Sequence, residues 1–328
     1  LTSVNGGIAG VDALLGGWLA GNFGFRSVFW VMCGVAVLAV VLVWSFARES
    51  TADETPKMDW LGAILLSAAF LAAYLAINEI EKLAGANWWL IAIEIVVAAV
   101  LFVIFWHVEN AQKNPMVTTT YLKERRTWGL LLTTLLTMTG VFAVMNGIVP
   151  ALAQDTSVGA SMSADTVSLA TLTPYALVGL VFGPVAGVIA SKMGYRSTLR
   201  GGLIVSAIAM VFGVFVCQSP HIWGLVVLSV VLGLSYAGTA NIMLNGLGIV
   251  LSPEDNPGYL PGLNAGAFNL GAGLSYAILY GVQQGFSDAH GATMGYTGAM
   301  IAGIILLVLA FLSSLLIPKP AQNAAEEH

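Results

Sequence analysis

The chain has 328 residues, of which 58% are apolar and only 9% charged, and its net charge is −5. That is more apolar surface than one globular core of this size can hide, which excludes a water-soluble domain and leaves a polytopic membrane protein. The acidic balance gives no nucleic-acid surface, and Cys33 and Cys217 both lie inside apolar runs, which excludes a disulfide framework or a cysteine metal cluster.

Apolar stretches of about 20 residues recur throughout, each long enough as a helix to cross a hydrocarbon layer about 30 Å thick. In chain order they fall roughly at 1–22, 28–47, 60–78, 88–107, 128–150, 167–190, 201–218, 223–250, 261–286 and 296–317. Lipid cannot satisfy open backbone groups, and the alternation of a barrel is absent. The expected fold class is therefore all-α, a polytopic transmembrane helix bundle with ten spans present.

Lys and Arg flanking membrane spans are retained on the cytoplasmic side. If residue 1 begins on that side, Arg48, Lys57, Lys113, Lys123, Arg125, Arg126, Lys192, Arg196, Arg200 and Lys319 are cytoplasmic, and only Arg26 and Lys82 lie outside. Adding or deleting one span would scramble this bias, so it supports the span count independently. Trp60, Trp88, Trp89, Trp106, Trp128 and Trp223 sit near expected span ends, where indole favours the interface. The expected localisation is the cytoplasmic membrane, with the C-terminus in the cytoplasm.

The loops divide the chain into four blocks: a first pair of spans at 1–48, a polar linker with two further spans at 49–127, six closely connected spans at 128–318, and a solvated tail at 319–328. Leu1 falls inside an apolar run with no signal peptide, which reads as a fragment lacking earlier spans.

Polar residues inside spans are costly and turn toward protein or water. Spans 28–47, 201–218 and 296–317 are almost entirely aliphatic, with Ser and Gly, and read as lipid-facing struts. Span 128–150 carries Thr139, Asn146 and Pro150; span 223–250 carries Tyr236, Thr239, Asn241 and Asn245; span 261–286 aligns Asn269, Tyr276, Tyr280 and Gln283. At helical spacing each set makes one polar face. Either these faces line a cavity, or the asparagines join helices by interhelical hydrogen bonds worth about 0.6 kcal/mol each. Glycines repeat every four residues at Gly17 and Gly21, at Gly262 and Gly266, and at Gly179, Gly183 and Gly187, which permits close helix contact. Pro174 and Pro184 either bend the span that carries the last three or sit in ordinary static packing.

Two stretches resemble a known family. "GVIASKMGYR", residues 187–196, is similar to the cytoplasmic loop signature of the major facilitator superfamily, matching at Gly187, Ile189, Ala190, Lys192, Gly194 and Arg196. Ser191 stands where that signature has an acidic residue, and Tyr195 where it has a basic one. "GVDALLGGWLAGNFGFRSVFWV", residues 10–31, resembles the fifth helix of the superfamily's drug/proton antiporters at Gly16, Gly17, Gly24, Arg26 and Phe29, with Asp12 and Ala13 in place of glycine and proline. The resemblance implies the fourteen-helix branch, with four helices before residue 10, a first block that ends the N-terminal half, and a complete C-terminal six-helix half. It also implies that the polar faces of spans 128–150, 223–250 and 261–286 line the central cavity, and that helix 1–22 meets helix 167–190 between the halves through Gly16, Gly17, Gly21, Gly179 and Gly183.

Asp12 lies about ten residues from the outer turn, hence about 15 Å deep. Desolvation there would raise its pKa, which suits proton coupling; otherwise it is bonded to a neighbour such as Asn5 or to a basic residue elsewhere. Glu94 follows Trp88 and Trp89 closely and reads as solvated at the interface.

No nucleophile, metal pair or acidic dyad marks an enzyme in the spans. The expected function is a secondary active transporter, with proton-coupled efflux of small amphipathic compounds implied by the resemblance. The alternatives are a carrier of another small solute without proton coupling and a non-transporting receptor or scaffold. No cofactor or metal is implied. The expected partners are the bilayer, a small-molecule substrate and protons, with the protein monomeric.

Overall fold

A backbone N–H or C=O facing lipid has no partner outside its own segment, so a chain this apolar folds into helices. The computed structural model describes residues 15–16, 18–46, 59–80, 82, 85–112, 119–254 and 256–320. Among these, nine helices are long and apolar enough to cross a membrane: α1 (Arg26–Phe46), α2 (Trp60–Ile80), α3 (Trp88–Ala111), α4 (Arg125–Gln154), α5 (Thr166–Met193), α6 (Tyr195–Gln218), α7 (Ile222–Val250), α8 (Tyr259–His290) and α9 (Ala292–Ser314). They coincide with nine of the ten expected spans. The remaining one, 1–22, lies mostly outside the described residues, as do Asp12 and Gly17.

The helices alternate in direction. Arg200, near the start of α6, donates to the carbonyl of Ser314 at the end of α9 (3.1 Å), and Thr133, near the start of α4, shares a 2.9 Å hydrogen bond with Ser313. At the opposite end Gln218 of α6 bonds Thr297 of α9 (2.9 Å). The two ends are called the basic end and the far end below. Between α5 and α6 the chain reverses at Gly194 with φ +83°, and between α8 and α9 at Gly291 with φ +91°. These left-handed values cost a residue with a Cβ and suit glycine.

Helices α4 to α9 form one bundle. α4 packs on α8 and α9, α9 on α6, α6 on α7, and α7 on α5. Its core is continuous and includes Leu130, Met138, Ile148, Leu199, Leu203, Met210, Leu228, Met243 and Leu307. Close contact is made through glycine, as lipid gives no hydrophobic drive between helices. Gly303 and Gly140 meet at the α4–α9 crossing, where a Cβ on Gly303 would lie 2.6 Å from the carbonyl of Gly140. Gly271 faces the Leu135 carbonyl and Met138 of α4, and Gly233 faces the Tyr175 carbonyl of α5.

Gly179 is used differently from the sequence expectation. A Cβ there would meet Ala237 at 2.7 Å, so its face is filled by α7. The expected meeting of helices 1–22 and 167–190 is not seen among the described residues: Gly16 has open space around it, Gly21 is exposed, and Gly187 also has nothing within 4 Å. Gly183 is buried in α5. A bend accompanies Pro174 at Thr171 (φ −122°, ψ −83°), which separates Ala164–Ala170 from Leu172–Met193. Pro174 has no N–H for the Ala170 carbonyl, and its ring crowds that group.

α2 and α3 form a hairpin clasped at both ends. At the far end Glu79 pairs with Lys82 and accepts from the Asn87 backbone N–H (3.2 Å). At the basic end Asp59 accepts from the Gly62 N–H (2.8 Å) and from the Gln112 amide (2.9 Å). The hairpin leans on α8, where Tyr74 lies over Gly273. No residue of α1 is buried among the described residues.

The α5–α7 contact gives a direct test. Gly233→Ala would set a methyl 2.4 Å from the Tyr175 carbonyl oxygen, a backbone atom that cannot swing aside. The expected cost is about 1–3 kcal/mol of overpacking, read as a lower midpoint of thermal unfolding in detergent. Gly201→Ala, with nothing within 4 Å, should leave that midpoint unchanged or slightly raised.

Candidate functional site

Two of the bundle helices depart from α geometry. α4 contains a π-helical turn at Val144–Ile148 and α7 a longer one at Gly233–Ala240. The first precedes Pro150, which lacks an N–H and crowds the carbonyl one turn earlier; a widened turn relieves this. Wide turns of this kind recur at functional sites, because they turn side chains and backbone groups out of the regular ladder. Immediately before the π turn, the Ala143 N–H donates across to the Ser275 hydroxyl of α8 at 2.9 Å.

The π turn of α4 and the middle of α8 build an aromatic and amide surface together. The rings of Tyr276 and Tyr280 stack at 6.0 Å with 20° between planes. Phe142 meets Tyr276 edge-on at 5.9 Å and Phe268 at 6.4 Å. Tyr280 reaches the α4 turn because residue 147 is glycine: a Cβ there would stand 2.4 Å from the phenol oxygen. Asn146, beside that glycine, is exposed and spends one amide hydrogen on the Phe142 carbonyl of its own helix (2.9 Å). Asn269 is likewise exposed and bonded only to the Ala265 carbonyl (2.9 Å). One turn beyond Tyr280, the buried Oε1 of Gln283 has no hydrogen-bond partner among the described residues. An orphaned acceptor of this kind costs about 1–3 kcal/mol unless a ligand or water completes it.

The α7 residues divide. Asn245 donates to both the carbonyl (2.9 Å) and the side-chain oxygen (3.0 Å) of Asn241, and both residues are half-buried. Their mutual bond lies within one helix, so it joins no helices. Tyr236 and Thr239, expected on the cavity face, are closed off between helices. Tyr236 is 2% exposed, stacks on Tyr175 at 6.4 Å and donates to the Met138 sulphur at 2.6 Å. Thr239 is turned back onto the Leu234 carbonyl (2.8 Å). The widened π turn rotates both away from the direction that a regular 3.6-residue period gives.

The interhelical polar joint is one that sequence reasoning missed. Asn264, 1% exposed, accepts from Thr134 of α4 at 2.6 Å and donates to the Leu244 carbonyl of α7 at 3.4 Å, tying three helices. It shares an apolar run with Asn269, and five residues of helix turn it about 140° away. The sequence shows the two asparagines, not which of them has neighbours.

At the basic end, the loop signature is laid out around Gly194. Gly187, Ser191 and Lys192 are exposed, and Ser191 bonds only the Val188 carbonyl (2.8 Å). Arg196 is half-buried, and its Nε is sealed from solvent without a hydrogen-bond partner among the described residues.

At the far end, Asp155 gathers the turn that follows α4. Its carboxylate accepts from the Ser157 hydroxyl (2.6 Å), the Ser157 and Val158 N–H groups (2.8 and 3.2 Å) and the Tyr296 hydroxyl of α9 (3.1 Å).

Comparison with known proteins agrees with this architecture. Residues 130–327 match the family model of the Major Facilitator Superfamily. A uridine/deoxyuridine transporter of Lactococcus lactis subsp. cremoris (strain MG1363) is 56% identical over 323 residues, which cover 97% of this chain and 67% of that protein. The methyl viologen resistance protein SmvA of Salmonella typhimurium is 25% identical over 84% of this chain and 54% of its own. The multidrug resistance protein Stp of Mycobacterium tuberculosis is 24% identical over 81% of this chain and 48% of its own. The chain thus spans about half the length of these last two relatives.

Asp155 makes a testable link between loop and bundle. The Ser157 hydroxyl, followed by the backbone donors and Tyr296, holds its carboxyl below the ordinary value of 3.8. A folded-state pKa below the unfolded one gives stability that is present above the unfolded value and is lost as pH falls through the folded one. Asp155→Asn should therefore lower the thermal midpoint at pH 7. The gap between variant and parent should close as pH is taken below about 4, measured by paired unfolding scans.

Proposed function

The chain belongs to the major facilitator superfamily, and on that premise we propose that it carries pyrimidine nucleosides across the bacterial cell membrane by alternating access. It is a multi-pass membrane transporter and not an enzyme. The observation that carries the nucleoside reading is the α4–α8 surface: two stacked tyrosines, a phenylalanine edge and neutral amides from Asn146, Asn269 and Gln283. A pyrimidine ring stacks on such rings, with base–aromatic stacking worth about 1–3 kcal/mol. The orphaned Oε1 of Gln283 offers an acceptor to an imide N–H such as that of uracil.

Charge favours the same substrate class over cationic drugs. α4 beyond its first turn, α7 and the part of α8 that bears the tyrosines contain no acidic residue, so a dication such as methyl viologen would find no counter-charge there. A neutral, polar, flat solute fits. The name of the 56% identical relative joins uridine and deoxyuridine; a site that takes both does not depend on the ribose 2′-hydroxyl, which puts recognition on the base.

The basic residues argue for the cytoplasm at the basic end, including the end of α9. The fourteen-helix count and proton coupling through Asp12 stay part of the proposal, and Asp12 lies outside the described residues.

The test is counterflow of labelled uridine in proteoliposomes holding the full-length transporter, which reads transport in either direction. Tyr280→Ala should lower exchange about tenfold, and Gln283→Leu should weaken competition by uridine more than competition by a nucleoside lacking the imide N–H. Absent uridine exchange, together with methyl viologen transport, would reject the reading. Coupling is tested separately: Asp12→Asn should leave uridine counterflow intact while abolishing net uridine movement driven by a pH gradient.

A further inference from the structure

The basic end holds a group of arginines without an ion-pair partner among the described residues. Arg196 and Arg200 sit one turn apart at the start of α6, and Arg196 lies within electrostatic reach of both Arg200 and Arg125, the first residue of α4. The Nε atoms of Arg196 and Arg200 are both sealed from solvent, and neither has a hydrogen-bond partner among the described residues. Thr127, two residues beyond Arg125 and 1% exposed, adds a buried hydroxyl without a hydrogen-bond partner among the described residues at the same end of α4. The ion pairs among the described residues are Lys82–Glu79 and Arg126–Glu124, and neither involves these three arginines. Arg200 has one further bond, to the Ser314 carbonyl at the end of α9.

Three like charges held together cost energy, and burying guanidinium N–H groups without acceptors costs more. The loop explains how the cost arises: Ser191 occupies the acidic position of the signature and is bonded to its own helix, so it offers Arg196 no charge. An anion bound there would supply the negative charge and the acceptor oxygens that no described residue gives these Nε–H groups. A phosphate ester matches both needs, since its oxygens take hydrogen bonds from several guanidinium groups at once. The arginines cluster where the basic residues put the cytoplasmic leaflet, whose surface carries anionic lipid headgroups.

We propose that Arg125, Arg196 and Arg200 form a binding site for a phosphate-bearing anion at the cytoplasmic ends of α4, α6 and α9, filled by the headgroup of an anionic phospholipid or by free phosphate. The site is remote from the α4–α8 aromatic surface, and the proposal stands whatever the transported substrate. It assigns the arginines a second task besides orientation: with the anion bound, the starts of α4 and α6 and the end of α9 are tied together.

The experiment uses the full-length protein purified in detergent and delipidated, then scanned for thermal unfolding with added phosphatidylglycerol, phosphatidylcholine or inorganic phosphate. Native mass spectrometry counts the lipids retained. Phosphatidylglycerol should raise the midpoint by about 3–5 °C over phosphatidylcholine, and the gain should vanish in Arg196→Gln with Arg200→Gln. Arg196→Lys, which keeps the charge and removes the buried Nε, should retain part of it. Lys192→Gln, at an exposed cation of the same loop, should retain all of it. An equal gain from millimolar phosphate would identify free phosphate as the occupant. Equal midpoints in both lipids with no phosphate effect would overturn the proposal from the parent protein alone, however the variants fold. A phosphatidylglycerol gain that persists in the double variant would overturn it too.

Discussion

Helices in lipid gain nothing by hiding apolar surface from one another, so this bundle depends on places where backbone can touch backbone. The Gly140–Gly303 contact between α4 and α9, the approach of Gly271 to the Leu135 carbonyl and that of Gly233 to the Tyr175 carbonyl fix three helix crossings. The polar joints are consistent with these approaches. Thr134, Asn264 and the Leu244 carbonyl link α4, α8 and α7; the Ser206 and Ser235 hydroxyls, 2.9 Å apart, link α6 and α7. Each bond is weak, but each sits beside a close approach and selects one rotation of the helix about its axis. Rotation is what decides which side chains reach a transport path.

That selection is visible on α8, the least apolar of the nine spans. One side carries Asn264 into the interior, and Gly271 and Ser275 onto α4. The other carries Asn269, Tyr276 and Tyr280, with no polar partner among their neighbours beyond their own helix and the rings stacked on them. A helix with two polar faces in lipid is costly unless both are used. The first is used for assembly, and the second is the face proposed for solute. The π turn of α4 meets that second face, and Gly147 within it lets Tyr280 lie against it. Irregular backbone at membrane depth is tolerated where it is buried in protein or lines a cavity, and here Val144, Met145, Gly147 and Ile148 are buried and Asn146 alone is exposed.

Much of the fold was legible in the sequence because hydropathy and the basic-residue bias are separate signals that agree on where spans lie. The loop at residues 187–196 was legible too, through its signature, and its Gly194 takes the positive φ at which the chain reverses. Less of the site was. The stripe Asn269, Tyr276, Tyr280, Gln283 follows a plain helical period on a regular helix, so its residues share a side as expected. Tyr236 and Thr239 do not, because they ride on the π segment Gly233–Ala240, whose wider turn breaks the period on which the reading rests. Asn264 was missed for another reason: periodicity shows which residues share a face and says nothing of what stands opposite. Gly179 follows the same rule, being a contact glycine whose neighbour is α7 rather than the helix first expected.

The α2–α3 hairpin has another relation to the whole. Its two clasps, at Glu79, Lys82 and Asn87 on one end and at Asp59, Gly62 and Gln112 on the other, close it on itself. It touches the bundle chiefly along α8, where Ile77 and Ile80 face Ala277, Gly281 and Gly285 across an apolar gap of about 480 Å³. Phe105 of α3 joins the bundle core, with Leu65 and Leu66 of α2 packed against it, so the hairpin is anchored on that side while the gap leaves part of α8 loosely covered. α8 is also the helix whose solute face must be exposed alternately to the two sides if the transporter works by alternating access. A tight, glycine-mediated seam on α4 and a loose, aliphatic one on α2 would let that part of α8 shift against the hairpin.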